Sequence, residues 1–279
     1  MIPPIADRFV AGEDAETVVE HVSECNADGI GAIVNLLGEH YEQRATADAD
    51  VRTYQDLLRK MDDADVDGCI SVKPSQIGLD VGREAFEENL ATVVETARKY
   101  DRFVWIDMED HTTTDATLDA FEEHANATDG AVGVCVQSNL KRTGEDLERL
   151  AGLPGKVRLV KGAYDEPESV AYTKKAVVNE LYRDHLEYAF SEFDGGVAVG
   201  SHDPAMIELA AALHDEYGTD YEVQMLMGVR EDAQRELAAE GVRTNQYVPY
   251  GQKWFSYFYR RIRERKSNAL FALRAIVGR

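Results

Sequence analysis

Short apolar, β-branched runs recur along this chain, and nearly every one ends in a polar or charged residue. Glu39 follows Leu36-Leu37-Gly38, and Lys73 closes Ser71-Val72-Lys73-Pro74. Asp107, Glu109 and Asp110 end Trp105-Ile106-Asp107-Met108-Glu109-Asp110, and Gln137 closes Val134-Cys135-Val136-Gln137. Arg158, Lys161, Gly162 and Tyr164 lie in Val157-Arg158-Leu159-Val160-Lys161-Gly162-Ala163-Tyr164, and Ser201, His202 and Asp203 precede Pro204. Gln224, Leu226 and Gly228 end one later run, and Tyr247, Pro249, Tyr250 and Gly251 another. Barrel enzymes place their chemistry where strands end and loops begin. In that setting Lys161 suits a Schiff-base nucleophile, and His202 before an Asp-Pro helix start suits phosphate at the positive end of a helix dipole.

Taken singly, these residues have plainer readings. Lys73 and Lys161 can be snorkelling surface lysines, His202 can cap local backbone, and Asp107 can belong to a structural salt bridge. The set at strand ends is what points to function. The seven histidines show no metal-ligand spacing, so no metal is expected. Gly152-Leu153-Pro154-Gly155-Lys156-Val157 lacks the upstream Gly and the following Ser/Thr of a phosphate loop, and reads as a turn into a strand. Without GxGxxG or GxSxG, Rossmann-type nicotinamide binding and α/β-hydrolase chemistry lose their main support.

Eight candidate strands carry these ends, at 31–37, 68–73, 103–108, 132–137, 157–160, 197–200, 222–225 and 244–248. Charged stretches with helical spacing separate them, for example Phe86, Leu90, Val93, Val94 and Ala97. One helix is fully punctuated: Asp203 caps it, Pro204 opens it and Gly218 stops it. Alternation of strand and helix argues for parallel βα units. Eight units in 279 residues favour a (β/α)8 TIM-type barrel, with a doubly wound open sheet as runner-up. No linker divides the chain, so residues 1–279 read as one barrel domain. The barrel spans 26–266, with a helical N-terminal arm and a C-terminal helix.

Asp and Glu outnumber Lys and Arg by 52 to 30, a net charge of -22, which disfavours nucleic acid and anionic membrane surfaces as partners. Its basic residues are 20 Arg against 10 Lys. Such a carboxylate-rich surface repels itself at low salt, so a salt-rich, halophilic cytoplasm is expected. Residues 253–279 depart from this, with eight Lys/Arg against Glu264 alone, interleaved with Trp254, Phe255, Tyr257, Phe258 and Tyr259. Much of that helix must be packed, with arginines turned inward. Cys25, Cys69 and Cys135 are odd in number and far apart, and read as reduced, buried and inert. No segment approaches the roughly 18 apolar residues of a membrane span, nor does the N-terminus resemble a signal peptide. A cytoplasmic protein is expected, peripheral contact with a membrane being left open.

The chain resembles the flavin-dependent proline dehydrogenase family, in its monofunctional form, over almost its whole length. Leu36-Leu37-Gly38-Glu39, Ile70-Ser71-Val72-Lys73-Pro74-Ser75, Ile106-Asp107-Met108-Glu109, Arg158-Leu159-Val160-Lys161-Gly162-Ala163-Tyr164, Ser201-His202-Asp203 and Tyr247-Val248-Pro249-Tyr250-Gly251 fall in the family's order. Tyr259-Arg260-Arg261 then matches its double-arginine helix. The resemblance implies a distorted barrel whose last helix lies over the strand ends. It implies FAD, and oxidation of L-proline to Δ1-pyrroline-5-carboxylate by hydride transfer from proline C5 to flavin N5.

It also implies roles. Arg260, Arg261 and Lys73 would surround the substrate carboxylate, which suits planar, always-charged donors. Adjacent helix positions differ by about 100°, so both arginines can face one small anion only from the edge of a pocket. Tyr164, Leu226 and Tyr247 would pack on the proline ring, while Asp107 would hold the polar groups around Lys73 and Arg261. Arg158 would stand beside flavin N5 and Gln137 at the flavin edge. Val160, Lys161, Gly162, Ala163, Ser201 and His202 would line the rest of the cofactor. Glu39 resembles the acid that pairs with the first arginine, Arg260, as a gate. Ser201 stands where many members have Thr, which keeps the hydroxyl. Some members are fused to an aldehyde dehydrogenase domain, for which this chain is too short. A separate pyrroline-5-carboxylate dehydrogenase and a quinone-type electron acceptor are therefore implied. Two other readings of the same residues stay open: an aldolase-type barrel using Lys161, and a non-enzymatic amino-acid sensor.

Overall fold

The structure, a computed structural model, describes residues 7–255. Its strands are β1 (Gly31–Leu36), β2 (Gly68–Val72), β3 (Val104–Ile106), β4 (Val132–Gln137), β5 (Lys156–Val160), β6 (Val197–Gly200), β7 (Tyr221–Leu226) and β8 (Thr244–Tyr250). Each pairs in parallel with the next, and β8 returns to β1 through Gly31↔Asn245 to Leu36↔Tyr250, closing the barrel. Helix α1 (Ala15–Ala27) precedes β1. Then α2 (Arg44–Asp63), α3 (Arg83–Lys99), α4 (Thr114–Thr128), α5 (Thr143–Leu150), α6 (Lys175–Glu192), α7 (Pro204–Tyr217) and α8 (Glu231–Ala239) follow β1 to β7 in turn. The expected (β/α)8 barrel is thus observed, and the open sheet is set aside. The expected N-terminal arm is α1, packed on β1, β8 and α2. The expected C-terminal helix lies outside the described residues.

The helices form because their apolar residues make one stripe. In α2 the buried residues are Ala47, Val51, Tyr54, Leu57, Leu58 and Met61, spaced three or four apart down one face. Helix α7 is punctuated as expected: the Asp203 carboxylate accepts from Ala205 N at 3.2 Å, and Gly218 takes the left-handed conformation with φ 74°. Three expected strands stop early, β1 by one residue at Leu36. At Lys73-Pro74 the chain turns, with Gln76 N and Ile77 N both donating to the Lys73 carbonyl, so β2 ends at Val72. β3 has only three residues, although Asp107 N still donates to Val72 O at 2.9 Å.

Two hydrophobic layers result. The large one lies between sheet and helices and joins Val34, Val72, Ile106, Val134, Leu159 and Val199 to the helix stripes. Each fully buried Leu, Phe or Val there contributes about 1.5–3 kcal/mol. A small one lies inside the barrel, where Ile33, Trp105 and Ala198 meet the partly buried Cys69, Phe103 and Tyr247. Trp105 fits because β4 offers Gly133 opposite it: a Cβ there would stand 2.5 Å from the indole ring. Barrel interiors are usually filled by branched apolar residues. Here Asn35, Ser71, Arg158, Glu222, Gln224 and Asn245 are buried inside instead. Buried polar groups are costly unless paired, so their pairing defines the site. Cys25 and Cys135 are buried as expected, whereas Cys69 is only half-buried.

Candidate active site

The polar centre is built around Asp107, just beyond β3. Its Oδ1 accepts from Ser71 Oγ at 2.7 Å and from Arg158 Nη2, and its Oδ2 accepts from Tyr247 OH at 2.7 Å. These partners come from β2, β5 and β8, so the cluster exists only in the closed barrel. Arg158 is 4% exposed and is gripped on every side. Nη1 donates to Gln224 Oε1 at 3.1 Å, while the Trp105 and Tyr247 rings lie 5.0 and 5.7 Å from the guanidinium carbon. Burial opposes its charge, but Cys135, Asp107 and Tyr247 outweigh that, so Arg158 holds its proton more tightly than an ordinary arginine. Burial first, and the Asp107 charge second, push the Tyr247 phenol well above its usual value.

Lys73 stands at the end of β2, its side chain 11% exposed, with Nζ 3.3 Å from Glu39 Oε2. Nearby Glu109 accepts from Ser75 N and Ser75 Oγ, both at 2.7 Å, and burial raises its pKa despite those bonds. Across the mouth, Gln137 is fixed at both ends: Nε2 donates to Glu109 O at 2.9 Å, and Oε1 accepts from Ala163 N at 3.0 Å. Gly162 has φ 124°, and a Cβ on it would sit 2.3 Å from Asn139 Oδ1; only glycine fits. Among the described residues, Asn139 Oδ1 and Ser138 Oγ are buried with no hydrogen-bond partner. Lys161 Nζ donates to Asp203 Oδ2 and Asn179 Oδ1, each at 2.7 Å. His202 Nε2 accepts from Leu226 N at 2.9 Å, which joins the start of α7 to the end of β7. The loop after β5 is latched by Glu166, which accepts from His111 N at 2.8 Å and pairs with His111 Nδ1 at 2.5 Å.

These side chains surround a pocket of about 790 Å³ at the carboxyl ends of the strands. Lys73, Asp107, Tyr164, Leu226 and Tyr247 line it together with Gln137, Arg158 and Val160. Lys161, Gly162, Ala163, Ser201 and His202 complete the expected set that the structure brings into its wall. Glu39 reaches the site through Lys73. Arg260 and Arg261 lie outside the described residues, so their expected clamp and gate roles do too. Asp107 was expected beside Lys73 and Arg261; among the described residues it binds Arg158, Tyr247 and Ser71. The pocket combines fixed cations with hydroxyl and amide donors. The first turn of α7, with Ser201, His202 and Lys161, suits a phosphate-bearing group.

Further members of the site stand one pleat deeper than the strand ends. Asn35, which also lines the pocket and donates to Ser71 O at 2.9 Å, is one. Ser71, Trp105 and Glu222 are others. A signal was present: alternate strand residues share a face, and these stand two positions before Leu37, Lys73, Asp107 and Gln224. Among the described residues, no group of three or more His, Cys, Asp or Glu is placed to hold a metal. No helix there is long and apolar enough to cross a membrane.

Fold and site together define a (β/α)8 barrel with a polar, cation-lined pocket at the carboxyl ends of its strands. The profile of the proline dehydrogenase family matches residues 18–274. "Proline dehydrogenase 1" of Bacillus subtilis (strain 168) is 34% identical over 275 residues, covering 98% of this chain and 90% of the relative. "Proline dehydrogenase" of Deinococcus radiodurans is 35% identical over 280 residues, covering 98% and 90%. The chain belongs to the proline dehydrogenase family. Among solved structures, proline utilization A from Bdellovibrio bacteriovorus, inactivated by N-propargylglycine, shares the fold with a TM-score of 0.85 at 22% identity. That match covers 92% of this chain and 32% of the other. Proline utilization A from Corynebacterium freiburgense gives 0.79 at 23% identity, covering 97% and 32%. This chain therefore spans about a third of the length of those two proteins.

Proposed function

We propose that this protein oxidises L-proline to Δ1-pyrroline-5-carboxylate with FAD as the acceptor. Membership of the family makes it an oxidoreductase acting on proline. One observation carries the finer reading: a buried arginine, clamped by Asp107 and Gln224, stands in the wall of a pocket that Gly162 and the N-terminus of α7 also line. The residues fit FAD. Gly162, held at φ 124°, brings backbone without a side chain to the pocket wall. Ser201, His202, Lys161 and Lys175 supply polar and cationic groups for its phosphates.

Bound FAD would supply the acceptor for a hydride, two electrons with one hydrogen, from proline C5. The protein's part is positioning. Lys73, with Arg260 and Arg261, binds the substrate carboxylate through charge-assisted hydrogen bonds. Tyr164, Leu226 and Tyr247 cover the proline ring and exclude water. Arg158 places a fixed positive charge where negative charge develops, and its clamps spare it reorganisation during reaction. Asp107 orients both Arg158 and Tyr247. Glu39 holds Lys73 at the mouth and, with Arg260, gates it. Gln137, Val160, Lys161, Gly162, Ala163, Ser201 and His202 hold the cofactor.

Residues 1–279 then act as one catalytic domain in the cytoplasm. A quinone-type acceptor takes the electrons, and a separate pyrroline-5-carboxylate dehydrogenase takes the product. The Schiff-base reading is disfavoured by Lys161, whose Nζ is engaged by both Asp203 and Asn179. The visible spectrum of purified protein before and after anaerobic L-proline tests the proposal. Flavin bands that bleach on adding proline are expected. A colourless protein, or flavin that proline leaves oxidised, overturns it.

A further inference from the structure

We infer that Glu222, which lies beneath the pocket where no substrate reaches, is a positioning residue for Arg158, given the role proposed above for that arginine. Glu222 belongs to β7 and is 5% exposed. It faces a second cavity, of about 430 Å³, at the opposite mouth of the barrel. Its Oε1 accepts from Gln224 Nε2 at 2.6 Å and from Asn245 Nδ2 at 3.0 Å, and its Oε2 accepts from Lys156 Nζ at 2.8 Å. The same Gln224 offers Oε1 to Arg158 Nη1 at 3.1 Å. A column of contacts therefore runs through the barrel from Lys156 to Glu222, Gln224, Arg158 and Asp107.

Direction matters in this column. A carboxylate only accepts hydrogen bonds and a guanidinium only donates them, whereas an amide does either, depending on which way round it sits. With Glu222 below and Arg158 above, only one orientation of the Gln224 amide satisfies both. Glu222 thereby holds the amide oxygen towards Arg158, and Arg158 is tied at both Nη atoms. Replace Glu222 with glutamine, and its own NH2 can face Gln224. The amide is then able to turn and present NH2 to Arg158, donor against donor. Nη1 loses its anchor, and the guanidinium pivots about its bond to Asp107.

Two readouts of Glu222→Gln test this, one of them independent of catalysis. In protein with ¹⁵N-labelled arginine, the parent should give separate, slowly exchanging Nη signals for Arg158, assigned by their loss in Arg158→Met. Glu222→Gln should merge them. The exchanged pair Glu222→Gln/Gln224→Glu puts a carboxylate directly on Arg158 and should restore separate signals, which a merely structural role for Glu222 would not do. In the flavin-loaded enzyme, Glu222→Gln should slow anaerobic bleaching by proline roughly tenfold, the loss of part of one charge-assisted hydrogen bond, with little change in half-saturating proline. Unmerged signals in Glu222→Gln, or no restoration in the exchanged pair, overturn the inference. Merged and restored signals in a protein that proline never bleaches would leave the positioning role standing and sink the proposed function instead.

Discussion

Arg158 and Asp107 divide one problem between them. A guanidinium inside a barrel is tolerable because an acceptor meets each terminal nitrogen and aromatic faces flank it. Arg158→Met should keep FAD but slow its reduction by proline, roughly 100-fold if the loss matches that of one preorganised oxyanion-type donor. Stopped-flow bleaching measures this, and an unchanged rate excludes the role. For the clamp, Arg260→Met or Arg261→Met should lower kcat/KM by about 30- to 1000-fold, the equivalent of roughly 2–4 kcal/mol for a charged hydrogen bond with a buried partner left behind. FAD content should stay nearly normal. Proline analogues lacking the carboxylate should lose little further; if they suffer as much as proline, the arginines do not read the carboxylate. Lys73 and Gln137 at strand ends, and Arg158 in the middle of β5, were legible in the sequence because they interrupt apolar runs. Ser71 and Trp105 were not. A lone serine or tryptophan inside a run looks like ordinary packing until the register shows which face it occupies.

At the scale of elements, the loop between β5 and α6 brings Lys161, Gly162, Ala163 and Tyr164 into the pocket wall. Gly162→Ala should strain that turn and drive a methyl into Asn139, so flavin should be lost at purification; full FAD occupancy by absorbance would contradict the fit proposed there. Asp203 links this loop to α7 by capping the helix and binding Lys161. The hydrogen bond from Lys161 holds its carboxyl below the ordinary aspartate value of 3.8. A lowered folded value means that the unfolded chain takes up the proton first. The stabilisation is therefore complete above the ordinary value and is lost as pH falls through the folded one. Asp203→Asn keeps a capping side chain but removes the ion pair. Its urea midpoint should lie below the parent's at neutral pH and converge with it in acid; a constant gap would show that charge is not involved. The caps of α7 were readable because capping chemistry is local. The early ends of β2 and β3 were not, since they depend on where Pro74 turns the chain and on pairing across the sheet.

Across the whole molecule, a net charge of -22 dominates the surface. Salt from low to molar concentration should raise the thermal midpoint by screening carboxylate repulsion. A flat or falling series would remove the halophilic reading and leave the enzyme untouched. Chain-wide alternation of strand and helix made the barrel legible, whereas sequence spacing could not show that Glu222 reaches Arg158 through Gln224. That contact needs neighbouring strands in register. The seam between β1 and β8 has a further consequence during synthesis. Gly31 finds its partner, Asn245, 214 residues further along, so a ribosome must make more than two hundred residues after β1 begins before the barrel can shut. Until then the nascent sheet has two raw edges, an invitation to pair with other chains. Tyr247 arrives with the closing strand, so Asp107 and Arg158 wait unfinished inside a half-made cylinder. Such distant pairing tends to come late in folding. Cofactor capture should therefore be among the last events in the protein's maturation.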